Sequence, residues 1–145
     1  MNHALIVSES VLIHATPTKV WETLTTPAII KEYLFGTETS TDWKVGSEIT
    51  FQGVYGPHDQ HYCDKGAIIE NDPTMLLRYS YWSGFSGLED RPENYAMVTY
   101  ALEQNDRGTK FTWTQQGYPD EARCQHSLKG MNALLAQIKA IAERP

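Results

Sequence analysis

The residues that most resemble metal ligands lie together in the first half of the chain. They are His58, Asp59, His61, Cys63 and Asp64. In a strand, His61 and Cys63 point to one face and Asp64 to the other, because successive side chains alternate. A tetrahedral site needs rigidly spaced ligand pairs, and no second pair is present elsewhere in the sequence. We therefore interpret these residues as part of a polar hairpin and expect no metal site.

Two other kinds of reactive site are also not favoured. No Gly-x-Ser-x-Gly motif is present, so nothing in the sequence resembles the nucleophile turn of a hydrolase. The glycine-containing segment 83–87 lacks the spacing of a phosphate-binding loop, and Glu89 and Asp90, which would repel phosphate, follow it. We expect no nucleotide or other cofactor.

General acid–base chemistry stays open. Glu48, His61, Glu70 and Glu103 lie in or at the ends of predicted strands, and His126 lies near the start of the predicted C-terminal helix. Glu48 is out of phase with the apolar positions of its strand and is expected to face outward. Because no pair of titratable groups has clearly contrasting environments, the sequence identifies no catalytic residue.

Aromatic residues supply the strongest signal for a binding site. Twelve of the sixteen lie between Trp43 and Trp113. Strand phase places seven of them on the inward face: Phe51, Tyr55, Tyr79, Tyr81, Tyr100, Phe111 and Trp113. These rings either pack an ordinary core or line a cavity; the four tyrosines favour a cavity, since a buried phenol needs a hydrogen-bond partner. With Met131 and Leu135 of the C-terminal helix, they form the predicted ligand cavity.

The elements that position these residues begin with a pair of short helices. Thr16-Pro17 and Thr26-Pro27 each match a helix start, because threonine caps helices well and proline fits the first helical position. The apolar residues of the pair are predicted to form one wedge against the sheet. They are Val20, Trp21, Leu24, Ile30, Tyr33 and Leu34.

Strands and one long helix complete the prediction. Apolar alternation and turn residues predict strands at 5–14, 48–55, 61–70, 76–82, 95–103 and 109–116, with a short extended segment after Gly36. Short turns favour an antiparallel sheet of about six or seven strands. After Asp120, apolar residues recur every three or four positions, which predicts a helix of roughly 35 Å packed across the sheet. They are Cys124, Leu128, Met131, Leu135, Ile138 and Ala142.

Composition limits the class of protein. With 145 residues and no linker-like segment, we expect a single domain spanning 1–145. The formal net charge of −6 argues against nucleic acid as a partner. No segment is long and apolar enough to span a membrane, and the N-terminus does not resemble a signal peptide. The two cysteines, Cys63 and Cys124, are expected to be reduced in a cytoplasmic setting.

Motifs in a fixed order resemble a known family. They are Val20-Trp21 with Leu24-Thr25 and Pro27, Trp43-Lys44-Val45-Gly46, Gly66-Ala67-Ile68 with Asp72-Pro73, Leu77-Arg78-Tyr79-Ser80, and Gly108-Thr109 before Phe111. The chain resembles the START-like (SRPBCC) helix-grip superfamily, and within it the group similar to the activator of heat-shock protein 90 ATPase. The resemblance implies an α+β helix-grip fold: a curved antiparallel sheet, two short helices after the first strand, and a long C-terminal helix. It also implies a pocket between sheet and helix, but no catalytic motif.

One position departs from this pattern. The family's closing helix often carries Gly-Trp where this chain has Gly130-Met131. A flexible thioether in place of an indole is expected to enlarge or soften the pocket at that point.

Three functions follow as hypotheses. The first is a binding protein for a small apolar ligand, as a monomer or homodimer. The second is an enzyme of the cyclase, dehydratase or hydrolase type that uses the same cavity. The third, suggested by the resemblance, is a stress-response module that stimulates a heat-shock ATPase; the lack of a partner domain and of a conspicuous docking patch weighs against it. The loop 83–92 is either a flap over the cavity or an ordinary connection.

Overall fold

The fold is a curved sheet that holds one long helix. A computed structural model describes all residues, 1–145. The elements are β1 (Asn2–Ile13), α1 (Pro17–Thr25), α2 (Pro27–Tyr33), β2 (Glu38–Ser40), β3 (Glu48–Tyr55), β4 (Gln60–Asp72), β5 (Leu76–Tyr81), β6 (Ala96–Asn105), β7 (Gly108–Tyr118) and α3 (Glu121–Ala142). Two short 3₁₀ turns, Gly84–Ser86 and Pro92–Asn94, lie between β5 and β6.

The seven strands form one antiparallel sheet. Their order is β1-β7-β6-β5-β4-β3-β2, so nearly all neighbours in sequence are neighbours in space, and the exception is β1, which returns to pair with β7. The predicted α+β helix-grip architecture is confirmed, and the seventh strand is the short β2. The two edge strands, β1 and β2, do not pair with each other, so the sheet is open. Its concave face must therefore be covered by the helices.

Both short helices begin where the Thr-Pro pairs predict. The Thr16 hydroxyl accepts a hydrogen bond from the Lys19 backbone N–H, and Pro17 occupies the first helical position. Pro27 does the same for α2, although the Thr26 side chain makes no capping bond there. These starts place the apolar residues of both helices against the sheet.

The predicted wedge is mostly buried. Val20, Leu24, Ile30 and Tyr33 are at most 3% exposed. The two remaining members, Trp21 and Leu34, are only partly buried and pack against the edge of the core. The fully buried part of the wedge is therefore narrower than the sequence predicts.

The long helix α3 begins at the predicted position. The Asp120 side chain accepts a hydrogen bond from the Arg123 backbone N–H and caps its first turn. Its apolar stripe is buried, except for the half-buried Leu128. The helix packs mainly against β1, with further contacts to β7 and the two short helices. Because α3 lies towards the β1 end, it leaves part of the concave face over β3 to β6 uncovered. None of the helices combines the length and the hydropathy needed to cross a membrane.

Candidate functional site

A cavity of about 500 Å³ occupies the uncovered part of the concave face. Twenty residues line it, and fourteen of these are hydrophobic. Strands β3 to β7 form its floor, the Gly130, Met131 and Leu134 turn of α3 forms one wall, and the segment after α2 closes another side. The cavity therefore lies between sheet and C-terminal helix.

Most of the predicted cavity residues contribute to this lining. The residues that do so are Phe51, Tyr55, Tyr79, Tyr81, Tyr100, Trp113 and Met131. They come from β3, β5, β6, β7 and α3, and the curvature of the sheet turns these separate strands towards one space.

Phe111 and Leu135 do not line the cavity. Phe111 is completely buried, and its ring packs against Tyr100 with centroids 5.5 Å apart. Leu135 is 3% exposed within the core, whereas the preceding Leu134 reaches the cavity. One residue along a helix rotates the side chain by about 100°, which is enough to move it from the cavity wall to the packed core.

The cavity floor is a continuous chain of aromatic rings. Trp113 contacts Tyr100 at 5.1 Å between ring centroids, and Tyr100 contacts Tyr79 at 5.7 Å. Phe51 then lies 5.8 Å from Tyr79 and 6.0 Å from Tyr81. Most of these contacts are edge-to-face, the arrangement that aromatic pairs prefer. A rigid apolar surface results.

Two hydroxyls on this floor satisfy each other. Tyr79 and Tyr100 lie on neighbouring strands, and their oxygens are 2.9 Å apart. Burial raises the pKa of Tyr100 to about 12 and raises the pKa of Tyr79 well above its ordinary value. Both phenols are therefore neutral hydrogen-bonding groups at physiological pH.

Asp64 is a buried polar lining residue that the sequence analysis did not place in the cavity. Its side chain is buried, with the residue 7% exposed, and its Oδ2 accepts a hydrogen bond of 2.5 Å from the Tyr81 hydroxyl. The other oxygen, Oδ1, is buried without a partner. Burial raises the pKa of Tyr81 well above its ordinary value, and the neighbouring carboxylate raises it further.

The signal for Asp64 was present in the strand phase. Asp64 shares its parity with the buried Gly66 and Ile68, so an inward direction follows from alternation along β4. The prediction that Asp64 faces away from His61 and Cys63 is correct, since both of those residues are exposed. From the sequence we interpret Asp64 as part of a polar hairpin, and for that reason it is not assigned to the cavity there.

A second unpartnered polar group lies at the other end of the ring chain. The buried indole Nε1–H of Trp113 has no acceptor. The neighbouring Gln115 also lines the cavity, and its amide donates to the Gly117 carbonyl at 3.3 Å. Two lining residues, Asp64 and Trp113, thus each hold a buried polar atom without a hydrogen-bond partner.

Exposed aromatic residues surround the cavity mouth. Phe35 is 82% exposed, Phe85 51% and Tyr55 42%. The Phe85 ring packs edge-on against Tyr55 at 4.8 Å and lies 5.8 Å from the ring of Tyr62. The loop 83–92 therefore supplies one side of the mouth through Phe85, while Thr37 and Tyr62 share a hydrogen bond of 2.5 Å on another side.

Comparison with known proteins places nearly the whole chain in one family. The family model of the activator of Hsp90 ATPase homolog 1-like proteins matches residues 14–143. The chain belongs to this family. No curated protein matches it.

Solved structures with this fold come from several bacteria. The chain is 38% identical to ChR145 from Cytophaga hutchinsonii, with 99% of this chain and 97% of that one aligned and a TM-score of 0.83. CV1439 from Chromobacterium violaceum is 20% identical, with 98% and 99% covered and a TM-score of 0.83. An Aha1 dimer from Colwellia psychrerythraea is 17% identical, with 95% and 96% covered and a TM-score of 0.74. The last two likenesses establish the fold alone.

Within this family member, the other chemically interesting residues lie outside the cavity or at its mouth. No three His, Cys, Asp or Glu side chains are grouped so that they could hold a metal ion. Glu48, Glu70 and Glu103 are exposed. His126 is exposed and lines the mouth beside Ser127. Inside the cavity, the titratable side chain that contacts a carboxylate directly is Tyr81, and the carboxylate is that of Asp64.

Proposed function

We propose that this protein binds a small, mostly apolar molecule in the cavity between its sheet and α3. The observation that supports this is the cavity itself, whose volume of about 500 Å³ lies within the range typical of ligand sites. Its lining is largely hydrophobic, with a few polar groups, which is the usual composition of such sites.

The polar groups define how the molecule is oriented. Asp64 Oδ1 and Trp113 Nε1 are buried without partners, and a buried polar group without a hydrogen bond is costly. A ligand that carries a donor towards Asp64 and an acceptor towards Trp113 satisfies both. The edge-to-face ring chain between them contacts the apolar body.

The test is uptake of an uncharged fluorescent probe. Titration with N-phenyl-1-naphthylamine should give a saturable increase in emission that a non-fluorescent apolar competitor reverses. Native mass spectrometry of the purified protein should also reveal a copurifying small molecule. If the folded protein shows no saturable uptake of the probe, the proposal is excluded.

An enzyme that uses the same cavity is the second candidate. The Asp64–Tyr81 contact of 2.5 Å favours it, because it places a carboxylate that can accept a proton beside a phenol inside the cavity. The reaction would be a cyclisation, dehydration or hydrolysis of the bound molecule. Incubating the copurified molecule with wild-type protein and with Asp64→Asn tests this: a product formed by the wild type alone supports catalysis, and an unchanged molecule in both argues for binding only.

Family membership supports a third candidate, action on a chaperone. The family takes its name from an activator of the Hsp90 ATPase. Adding the purified protein to an Hsp90 chaperone should raise the ATPase rate of that chaperone if this candidate holds. An unchanged rate at saturating protein would leave the cavity as the functional site.

Assembly and location complete the proposal. The exposed aromatic rings of Phe35 and Phe85 at the mouth are available for a homodimer contact, and a dimer exists among proteins of this fold. Sedimentation across a concentration series distinguishes monomer from homodimer. Cys63 and Cys124 are both free thiols, which supports a reducing, cytoplasmic setting; fractionation of cells that express the protein tests it.

A further inference from the structure

The Asp64 carboxylate in the cavity wall has no positive partner. The eight ion pairs of the chain involve other acidic groups, and the adjacent Lys65 pairs with Asp90 at 2.5 Å. Tyr81 supplies one hydrogen bond to Oδ2, and Oδ1 is left with none. A buried carboxylate in this condition is stabilised by a cation or by a charge-assisted hydrogen bond.

Aromatic side chains surround this carboxylate. Phe51 is the direct cross-strand neighbour of Asp64 on β3, and Tyr62 lies two residues before it on the same face of β4. The Tyr81 ring contacts Phe51 at 6.0 Å between centroids. All of these residues line the cavity. Aromatic faces attract cations, and an ammonium group is bound most strongly where rings and a carboxylate act together.

We propose that the cavity selects organic cations, namely amines with an apolar aryl or alkyl body, and that Asp64 binds their ammonium group. This inference rests on the proposed binding of apolar molecules and specifies their chemical class. The ammonium donates to Asp64 Oδ1 and contacts the Phe51, Tyr62 and Tyr81 rings. The apolar body lies over Tyr79, Tyr100 and Met131. The formal net charge of −6 favours the approach of a cation.

Three probes of the same shape test this on the wild-type protein. They are 4-phenylbutylamine, which is cationic at neutral pH, 4-phenylbutanol and 4-phenylbutanoate, each measured by isothermal titration calorimetry. We expect the amine to bind about ten-fold or more tightly than the alcohol, the advantage typical of a hydrogen bond to a charged group. The carboxylate should bind more weakly than the alcohol, because it places a negative charge beside Asp64.

A matched pair of variants assigns the preference to one residue. Asp64→Asn keeps the shape of the side chain and removes its charge, so the ratio of amine to alcohol affinity should fall to about one. Asp72→Asn makes the same change at an exposed position of the same strand and should leave the ratio unchanged. If Asp64→Asn does not fold, the wild-type preference among the three probes still decides the question.

The outcomes separate this inference from the function on which it rests. Equal affinities for amine and alcohol in the wild type, or an amine preference that survives in Asp64→Asn, would overturn selection of cations. If N-phenyl-1-naphthylamine still binds saturably in that case, apolar binding stands and only the ligand class is wrong. If none of the probes binds, both proposals fail.

Discussion

The hydroxyl groups of Tyr79 and Tyr100 form a closed pair, 2.9 Å apart, beneath the cavity. The two residues are 4% and 6% exposed, and neither hydroxyl has another protein partner. Each phenol therefore depends on the other for its hydrogen bond. The pair makes two tyrosines compatible with a floor that is otherwise apolar.

Removing one hydroxyl of this pair should cost more than removing both. Tyr100→Phe leaves the buried Tyr79 hydroxyl without a partner, and we expect a loss of about 1–3 kcal/mol in the free energy of unfolding. The double variant Tyr79→Phe/Tyr100→Phe should lose less than either single variant, because no unpaired group remains. Urea unfolding of the four proteins measures this.

The exposed Tyr55 provides the matched control for this cycle. It is 42% exposed, so Tyr55→Phe should leave the free energy of unfolding within a few tenths of a kcal/mol of wild type. Single variants of the buried pair that are as stable as this control would contradict the closed-pair interpretation.

Alkaline pH should unfold the protein through its buried tyrosines. Burial raises the pKa of Tyr33, Tyr79 and Tyr81 well above 10.0 and that of Tyr100 to about 12. Below pH 10 these groups are protonated in both the folded and the unfolded state, so their contribution to stability is complete. As pH rises further, the unfolded state ionises first, and each group lowers the free energy of unfolding by about 1.4 kcal/mol per pH unit until its folded pKa is reached.

Phenolate absorbance and circular dichroism, recorded together, measure this behaviour. Four of the eight tyrosines should ionise only as the ellipticity is lost. Titration of all eight near pH 10 with the fold intact would show that these phenols reach solvent without unfolding.

Met131→Trp should fill the cavity. Met131 is 4% exposed and lines the α3 wall, so a larger side chain at this position extends into space that the ligand would occupy. We expect uptake of N-phenyl-1-naphthylamine to be lost, with a change in unfolding free energy of about 1 kcal/mol or less, since the new volume enters a void instead of a packed core.

The control is Met75→Trp, at a position that is 59% exposed and outside the cavity lining. It adds the same indole without touching the cavity and should bind the probe as the wild type does. If Met131→Trp takes up the probe as the wild type does, Met131 does not line the space in which the probe binds.

Two glycines should respond in opposite directions to the same substitution. A Cβ at Gly66 of β4 would lie 1.6 Å from the Ser80 carbonyl oxygen on β5, so Gly66→Ala must push two central strands apart. We expect a loss of about 3 kcal/mol or more, or a failure to fold.

Gly130→Ala is the matched comparison within α3. A Cβ there meets no atom within 4 Å, and glycine is unfavourable inside a helix. A gain of about 0.5–1 kcal/mol is expected. Thermal unfolding measures the stability of both variants. If Gly66→Ala is as stable as the wild type, β4 and β5 do not approach each other as closely at Gly66 as the structure shows.

Local sequence patterns alone determined the elements of this protein. The Thr-Pro pairs, the alternating strands and the apolar stripe after Asp120 depend on neighbours a few residues apart, so they predicted both helix starts, the strands and α3. Strand parity selected six of the predicted residues that line the cavity, and the helical repeat of α3 selected a seventh, Met131.

Only the tertiary structure decided which inward residues face a void and which face packed atoms. Phe111 and Tyr100 both point inward, yet one is sealed in the core and the other reaches the cavity, because α3 packs towards β1 and leaves the face over β3 to β6 open. The contact between Asp64 and Tyr81 joins residues 17 positions apart in the chain. Parity predicts the face of each residue separately, but their meeting depends on how far the sheet curves, and that curvature is a property of the packed whole.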